Sequence, residues 1–148
     1  MRFFETLSLV AALSIATAAL AHQGVKNAGV MARMDGMLSA QKATKVLIDM
    51  AAGKRSFDAD DADAAKARIL EDLSRVPALF ESPHDDPMTE ARPIIWTQYD
   101  DFLRRNDQAV LAMKAVKTET KAGLQATLPA AGAACLDCHQ TYRLKHEK

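Results

Sequence analysis

Apolar residues recur at alternating spacings of three and four residues along four stretches of this chain. The first stretch runs from about Val25 to Ala52, and the second from about Asp58 to Arg75. The third begins at Pro93, and the fourth follows a break near Lys117 to Thr120. Because this spacing places apolar side chains on one face of a helix, the pattern predicts four amphipathic helices.

Each of three predicted helices has a clear stripe that we expect to face a common core. In the first helix the stripe is Arg33, Met37, Ala40, Thr44, Leu47 and Ala51. In the third it is Ile95, Tyr99, Phe102, Asn106, Ala109, Met113 and Val116, which is the clearest heptad in the chain. In the fourth it is Leu128, Ala131, Cys135, Cys138 and Tyr142. Four such helices with mostly short connections predict an all-α, antiparallel four-helix bundle, whose interior commonly holds a cofactor.

Glycine and proline residues set the expected helix ends. Gly53 is expected to stop the first helix, and Asp58 can cap the second. Pro77 should prevent the second helix from continuing. The segment 77–93 contains four of the five prolines and is predicted to be a long loop that could lie across a bound group. Pro129 is expected to kink or split the fourth helix.

Composition supports this class and excludes one kind of partner. The chain has 148 residues, of which 49% are hydrophobic and only 5% aromatic, and its 28 alanines leave few large side chains to fill an interior. Basic and acidic side chains number 19 each, so the formal net charge is zero and the chain lacks the basic surface that nucleic-acid binding requires. We expect one packed domain, no nucleic-acid partner, and a further group that fills part of the interior.

The first 21 residues have the character of an export signal. A basic start precedes an apolar run from Leu7 to Leu20, and Ala19 and Ala21 place small residues where signal peptidase requires them. We expect cleavage before His22, which leaves residues 22–148 as the mature domain in a bacterial periplasm. A retained membrane anchor is less favoured, because the run is shorter than the roughly 20 residues that span a bilayer.

The clearest chemical signal is Cys135-Leu136-Asp137-Cys138-His139, a Cys-x-x-Cys-His motif that contains both cysteines of the chain. This arrangement is typical of c-type haem attachment. Residues three and four apart share one face of a helix, so the two thiols can add to the haem vinyl groups while the His139 imidazole reaches the iron. The motif therefore predicts one covalently attached haem c with His139 as an iron ligand.

A Cys-x-x-Cys pair also occurs in redox dithiols and in zinc sites. A thioredoxin-like dithiol opens a helix after a strand, where the helix dipole lowers the thiol pKa, whereas Cys135 and Cys138 lie inside the last predicted helix. A structural zinc ion requires four ligands, and the chain has no second cysteine pair. Both alternatives remain open, with less support from the surrounding sequence than haem.

Beyond the motif, the chain resembles the class II c-type cytochromes, the family that includes cytochrome c′. The resemblance rests on the haem motif followed by Tyr142-Arg143, on Arg33-x-x-x-Met37, on GKRSFD at 53–58, and on Pro93-Ile94-Ile95-Trp96 followed by Phe102. It covers nearly all of the mature sequence. It implies a four-helix bundle and a protein that is not an enzyme in its own right.

The resemblance implies that Met37 faces the distal side of the haem. In the low-spin branch of the family a methionine there binds iron, which raises the reduction potential and suits an electron carrier. In the high-spin branch the iron is five-coordinate, and the residue is a distal wall beside a site for nitric oxide or other small gases. Met37 could also be an ordinary core methionine, and Met34 and Met31 are the next candidate ligands.

Four further residues are expected near the haem. By resemblance Arg33 would pair with a haem propionate, which a guanidinium can hold through two parallel hydrogen bonds; a solvated surface charge is the alternative. Arg143 lies four residues after His139 and could act in the same way. Trp96 and Tyr142 are expected in the haem pocket or in the core.

Together these expectations describe a periplasmic mono-haem cytochrome that transfers single electrons, with iron held by His139 and Met37. A five-coordinate, gas-binding cytochrome c′ is the alternative. The expected partners are redox proteins that dock transiently, because a neutral chain provides little long-range steering. The resemblance also allows a homodimer, and no feature of the sequence distinguishes a dimer from a monomer.

Overall fold

The computed structural model describes residues 24–144 of the chain. Its helices are α1 (Ala28–Ala51), α2 (Ala59–Leu79), α3 (Ile94–Thr97), α4 (Tyr99–Lys114) and α5 (Lys121–Tyr142). Within this range there is no β-strand, and the one extended pairing is an isolated antiparallel bridge between Ala91 and Arg143. The predicted all-α class is confirmed.

The four long helices pack as a ring of neighbours. α1 contacts α2, α2 contacts α4, α4 contacts α5, and α5 returns to contact α1. The short helix α3 leads directly into α4. This arrangement confirms the predicted four-helix bundle. None of the helices between residues 24 and 144 is long and apolar enough to cross a bilayer.

Local sequence explains where the helices begin and end. Asn27 caps α1 by accepting hydrogen bonds from the second and third backbone N–H groups of that helix, at 2.8 and 3.2 Å. Gly53 follows α1 with a φ of +74°, a conformation that glycine adopts at low cost. The Asp58 carboxylate accepts from the backbone of Asp61 at 2.9 Å and caps α2, as predicted. Thr120 caps α5 in the same way.

The predicted end of the second helix at Pro77 is wrong, and so is the predicted split of the fourth helix at Pro129. α2 continues through Pro77 to Leu79, so the loop begins at residue 80 instead of 77. A proline at 77 cannot bond to the carbonyl of Leu73, and the side-chain amide of Asn106 donates to that carbonyl instead, at 3.3 Å. Pro129 lies inside the uninterrupted helix α5, on its exposed side, where water can satisfy the carbonyl that the proline leaves free.

The third predicted helix is divided at Gln98, where φ is −127° and ψ is 40°. Its predicted stripe is nevertheless confirmed. The buried members are Ile95, Phe102, Asn106, Ala109, Met113 and Val116, and Tyr99 is half-buried. The break turns the chain without changing which face of the segment meets the core.

The predicted stripe of the first helix is only partly correct. The buried residues of α1 are Val30, Arg33, Gly36, Ala43, Leu47 and Met50. Ala40, Thr44 and Ala51 are half-buried, as is Met37. Because α1 has α2 on one side and α5 on the other, the packing of both neighbours decides which face is covered.

The core consists of two clusters that occupy different parts of the bundle. The alanine-rich cluster is formed by Ala43, Leu47, Met50, Ala62, Ala65, Ile69, Leu73, Ala109, Met113, Val116, Leu124, Leu128 and Ala131. The aromatic cluster is formed by Val76, Phe80, Ile95, Phe102 and Tyr142. The candidate site lies where these clusters meet.

Candidate haem site

Helix α5 places its two cysteines at the boundary between the two core clusters. Cys135 packs against the alanine-rich cluster, and Cys138 packs against the aromatic cluster. Both thiols are free and half-buried. The predicted stripe of this helix is confirmed, because Leu128, Ala131 and Tyr142 are buried on the same face. The motif therefore lies against the interior of the bundle through both sulfur positions.

The surroundings of the motif do not suit a redox dithiol. Burial raises the pKa of the Cys135 thiol and raises that of Cys138 to about 11, whereas a reactive dithiol requires a lowered pKa. The pair also lies in the carboxyl-terminal half of α5, away from the helix N-terminus. His139 is on the exposed side of α5, and partial desolvation, followed by the charge of Arg143, lowers the pKa of its imidazole, which favours the neutral form that binds iron.

A zinc site lacks a set of ligands in the same region. Residues 24–144 contain no group of three His, Cys, Asp or Glu side chains that could hold a metal ion. Structural zinc sites are almost always four-coordinate. The thiols of Cys135 and Cys138 therefore have no protein partners with which to complete such a site within the described range.

Met37 lies on α1 and packs against the aromatic cluster that Cys138 also contacts from α5. Met34 and Met31, the other methionines in this part of α1, are half-buried but do not belong to that cluster. The structure therefore brings a thioether and one thiol of the motif to the same region of the core.

Arg33 lies one turn before Met37 and is buried, with only 4% of its surface exposed. Its Nε donates to the Leu79 carbonyl at 2.7 Å, and its Nη2 donates to the Ser82 carbonyl at 2.5 Å. The guanidinium also lies 4.7 Å from the ring centroid of Phe80. The alternative of a solvated surface charge is therefore wrong. The third nitrogen, Nη1, is buried without a hydrogen-bond partner.

The aromatic side chains predicted near the site are in the core. Trp96 packs against the aromatic cluster, and its indole N–H donates to the Phe80 carbonyl at 2.9 Å. Phe102 lies between Phe80 and Tyr142, with ring centroids 5.0 and 5.3 Å away. Rings at these separations pack favourably in tilted and edge-on arrangements. They form a rigid wall at the end of the bundle that contains Met37.

Arg143 lies at the surface, apart from Arg33. Its side chain is 52% exposed, and its Nε donates to the Glu90 carboxylate at 2.5 Å. Its backbone forms the bridge to Ala91. The structure thus ties the residue that follows α5 to the long loop, and the role expected by resemblance stays a prediction.

The loop at 80–93 is bonded to the start of α1 and to the end of α5, the helices that carry Met37 and the haem motif. The buried carboxylate of Asp86 accepts hydrogen bonds from the backbone of Lys26, Asn27 and Met88 at 2.7, 2.9 and 2.9 Å. These bonds hold the pKa of Asp86 below its usual value. They fix the middle of the loop to the beginning of α1.

The end of the same loop is bonded to the end of the haem-motif helix. The backbone N–H of Arg92 donates to the Tyr142 carbonyl at 2.9 Å, and that of Leu144 donates to the Glu90 carbonyl at 2.8 Å. The loop therefore connects the residues that precede α1 with the carboxyl-terminal end of α5. The expectation that the segment lies across a bound group stays a prediction.

A polar network beside the motif was not predicted from the sequence. The Arg105 Nε donates to the Asp101 carboxylate at 2.7 Å, and its Nη1 donates to the Asp137 carboxylate at 2.5 Å. The Tyr142 hydroxyl donates to Asp101 at 2.7 Å. Four-residue spacing of Asp101 and Arg105 on a helix was the available signal, but it does not show that Asp137 joins them.

Hydrogen bonding keeps this network charged. Bonds from Arg105, then Tyr142 and Arg104, hold the pKa of Asp101 far below its usual value. Bonds to Asp101 and then Asp137 raise the pKa of Arg105. Burial, followed by the bond to Asp101, raises the pKa of Tyr142 to about 12. At neutral pH the arginine and the carboxylate of Asp101 are ionised, and the phenol is protonated.

Comparisons with known proteins identify the family. The model of the family described as Cytochrome C′ matches residues 28–143. The chain is 32% identical over 125 residues to a cytochrome c-556 from Agrobacterium tumefaciens (strain II Chrys), which covers 81% of this chain and 95% of that relative.

Two solved structures show the same fold. An oxidised cytochrome c556 from R. palustris has a TM-score of 0.73 and 24% identity, and covers 82% of this chain and 100% of that one. A cytochrome c′ with ligand-controlled dimer dissociation has a TM-score of 0.69 and 20% identity, and covers 79% of this chain and 95% of that one. The chain belongs to the cytochrome c′ family of class II c-type cytochromes and carries one covalently bound haem c.

Proposed function

We propose that this protein is a periplasmic electron carrier whose single haem iron is held by His139 and Met37. The observation that carries the proposal is the position of Met37, which packs against the same aromatic cluster as Cys138. Helices α1 and α5 therefore bring a thioether and the haem-binding motif to one region of the core. No other methionine between residues 24 and 144 belongs to that cluster.

The residues around the motif suit a haem group. The Cys135 and Cys138 thiols would each add across one vinyl group. In each addition the sulfur would bond to one vinyl carbon and the thiol hydrogen to the other, which leaves a thioether. The Arg33 Nη1 is a buried donor without an acceptor, and a propionate would satisfy it. When bound, the haem supplies a reversible one-electron change at its iron.

The chain's own residues would set the reduction potential. A methionine thioether opposite a histidine raises the potential, so Met37 would favour the ferrous state. Met37 packs against a buried aromatic cluster, and burial is another means by which a protein tunes a haem. The proposed role is therefore to accept and donate single electrons without chemical change of a substrate.

The packing of Met37 also supports a second candidate. A flexible core methionine makes the same contacts with aromatic rings, and in that case the iron would be five-coordinate and open to nitric oxide or another small gas. Both a cytochrome c556 and a cytochrome c′ have this fold. The choice between the candidates depends on the bond between Met37 and iron.

The proposed location and assembly rest on the sequence. The leader of residues 1–21 and its cleavage before His22 lie outside the described residues. Periplasmic location is proposed because the leader has the pattern of an export signal and because haem attachment to cysteine occurs outside the cytoplasm. Transient docking with redox proteins and a homodimer are also proposed from the sequence and its resemblance to the family.

Replacement of Met37 by alanine tests the proposal. The wild-type ferric protein, produced in a host that attaches haem, should have a low-spin absorption spectrum. M37A removes the thioether, so its ferric spectrum should become high-spin and it should take up external ligands faster. M34A is the matched control, because Met34 lies on the same helix outside the aromatic cluster, and it should keep the low-spin spectrum.

Two results would contradict the ligand assignment. One is a low-spin spectrum in M37A that matches the wild-type protein. The other is a high-spin wild-type spectrum that M37A leaves unchanged, which would instead support the gas-binding candidate.

A further inference from the structure

The haem-binding turn is held from outside by one side chain of α4. Arg105 Nη1 donates to the Asp137 carboxylate at 2.5 Å and points to its backbone carbonyl at 3.4 Å. Asp137 lies between the two cysteines of the motif and one residue before Cys138. Through Asp137, the guanidinium contacts the segment whose geometry decides where the thiols and the imidazole lie.

The same network also contacts the helix beyond the motif. Tyr142 lies three residues after His139, and its hydroxyl donates to Asp101 at 2.7 Å. Asp101 in turn accepts from Arg105 at 2.7 Å. The Arg105 guanidinium lies 5.9 Å from the ring centroid of Tyr142. The network thus contacts α5 two residues before His139, at Asp137, and three residues after it, at Tyr142.

Arg105 is better placed for this role than its neighbour Arg104. The Arg105 side chain is 20% exposed, and it joins α4 to α5. The Arg104 side chain is 55% exposed and, within residues 24–144, pairs only with Asp101 of its own helix. The two arginines carry the same charge on the same helix, so they form a matched pair in which one contacts the haem-binding turn.

General docking of α5 does not require this network. The helix is already anchored by Leu124, Leu128 and Ala131, which are buried in the alanine-rich cluster. An ion pair with one half-exposed partner adds little to such packing. The guanidinium does, however, restrict orientation, because its planar, rigid donor fork bonds Asp101 of α4 through Nε and Asp137 of α5 through Nη1.

We propose that Arg105 is a positioning residue for the haem iron: by holding Asp137, it fixes the orientation of the turn that carries His139. The inference rests on the assignment of His139 as an iron ligand and is independent of Met37. Residues that orient a metal ligand from outside its coordination shell tune the metal, and their mutation typically costs about 10–100-fold in metal affinity or activity.

Three variants of the haem-loaded protein test the inference. R105L removes the contact from α4, D137A removes it from α5, and R104L is the control that keeps it. If R105L does not fold, D137A still tests the contact. The Asp137 side chain is 53% exposed, so its removal should leave the fold intact. The readouts are the ferric EPR spectrum, whose g values report the orientation of an axial imidazole, and the reduction potential.

The two test variants should share one effect and differ in another. Both should show a second ferric EPR species, because the His139 imidazole gains a second orientation. Loss of a positive charge in R105L should lower the potential, and loss of a negative charge in D137A should raise it. A shift of about tenfold in the ferric-to-ferrous ratio at fixed solution potential is expected, which is 59 mV for a one-electron couple. R104L should keep a single species.

If either R105L or D137A shows a single EPR species identical to that of the wild-type protein, the inference is overturned. A wild-type protein without haem would instead overturn the haem assignment itself, so the two failures can be told apart. A wild-type spectrum with a high-spin signal would leave the comparison valid, because His139 orientation affects that signal as well.

Discussion

Arg33 shows how a single side chain can join distant parts of this bundle. Its guanidinium is buried and bonds to the carbonyls of Leu79 and Ser82, at the end of α2 and in the following loop. A buried cation is tolerated only when its donors are satisfied. Arg33 bonds the loop junction through Nε and Nη2 and leaves Nη1 without a partner, and a haem propionate is the acceptor that we propose for Nη1.

Removal of the Arg33 guanidinium should destabilise the fold. In R33L the carbonyls of Leu79 and Ser82 lose a charged donor, and charge-assisted hydrogen bonds contribute about 1.5–3 kcal/mol each. We expect a loss of about 3 kcal/mol in the free energy of unfolding, measured by chemical denaturation of the haem-loaded protein. R75L is the control, because Arg75 is exposed on α2. A loss no larger than that of R75L would contradict this account of Arg33.

Asp86 should make stability depend on pH. Its pKa is lower in the folded protein than in the unfolded chain, because three backbone N–H groups bond to the carboxylate. Its stabilising contribution is therefore present above the unfolded pKa of about 3.9 and is lost as the pH falls through the lower folded pKa. D86A should be less stable than wild type at pH 7, and the difference should shrink below about pH 4.

Denaturant titrations at several pH values measure the Asp86 contribution. D85A serves as the control, because Asp85 is the exposed neighbour in the same loop. A difference between D86A and wild type that stays constant from neutral to acid pH would show that the carboxylate charge is not the cause.

The sequence predicts the local chemistry of the residues but not their distant contacts. The Cys135, Cys138 and His139 motif is contained in five residues, so its geometry on a helix follows from spacing alone. The burial of Arg33 depends on carbonyls that are 46 and 49 residues away. Nothing in the local pattern indicates such partners, and a surface charge was an equally reasonable interpretation.

At the scale of the elements, tertiary contacts decide how prolines are accommodated. Pro77 lies inside α2, and Asn106 from α4 bonds to the carbonyl that this proline leaves free. Pro129 lies inside α5 on the exposed side, where the described residues supply no such partner for the Gln125 carbonyl. A rule that stops helices at proline fails at both positions, because it ignores the partner helix and the solvent.

The two prolines should respond differently to replacement by alanine. P129A gains a helical hydrogen bond to the Gln125 carbonyl, and we expect it to raise the free energy of unfolding by about 1 kcal/mol. P77A should gain less, because its N–H would compete with Asn106 for the Leu73 carbonyl. Thermal unfolding of both variants measures the difference. A larger gain in P77A than in P129A would contradict the account of these helices.

Periodicity predicts some faces of the helices better than others. The heptad from Ile95 to Val116 is correct because most of its apolar residues are large, with Ala109 as the exception, and because they recur every three or four residues. The face of α1 is less well predicted, because small residues such as Ala40 and Ala51 carry little information about which side is covered. The break at Gln98 has no signal in the spacing, since the buried stripe continues across it.

At the scale of the whole molecule, the fold and the function differ in how far the sequence determines them. Helix periodicity and the resemblance both predict the bundle, and the structure confirms the bundle. The same bundle is found in a cytochrome c556 and in a cytochrome c′. Whether Met37 would bind the haem iron depends on the orientation of its side chain, which the fold alone does not fix.

The neutral charge of the chain predicts how it meets its partners. With 19 basic and 19 acidic side chains, long-range electrostatic steering should be weak. The rate constant for electron transfer with a soluble redox partner should therefore change less than about threefold as the ionic strength rises from 0.01 to 0.15 M. Stopped-flow measurements across this range check the prediction. A fall of tenfold or more would show that a localised charged patch directs docking.

The ferric absorption spectrum of the purified, haem-loaded wild-type protein tests the proposed electron carrier most directly. Iron held by His139 and Met37 should give a low-spin spectrum with the weak methionine-to-iron charge-transfer band at its red end. A high-spin spectrum without that band would contradict the ligation of Met37 and favour a five-coordinate haem that binds small gases.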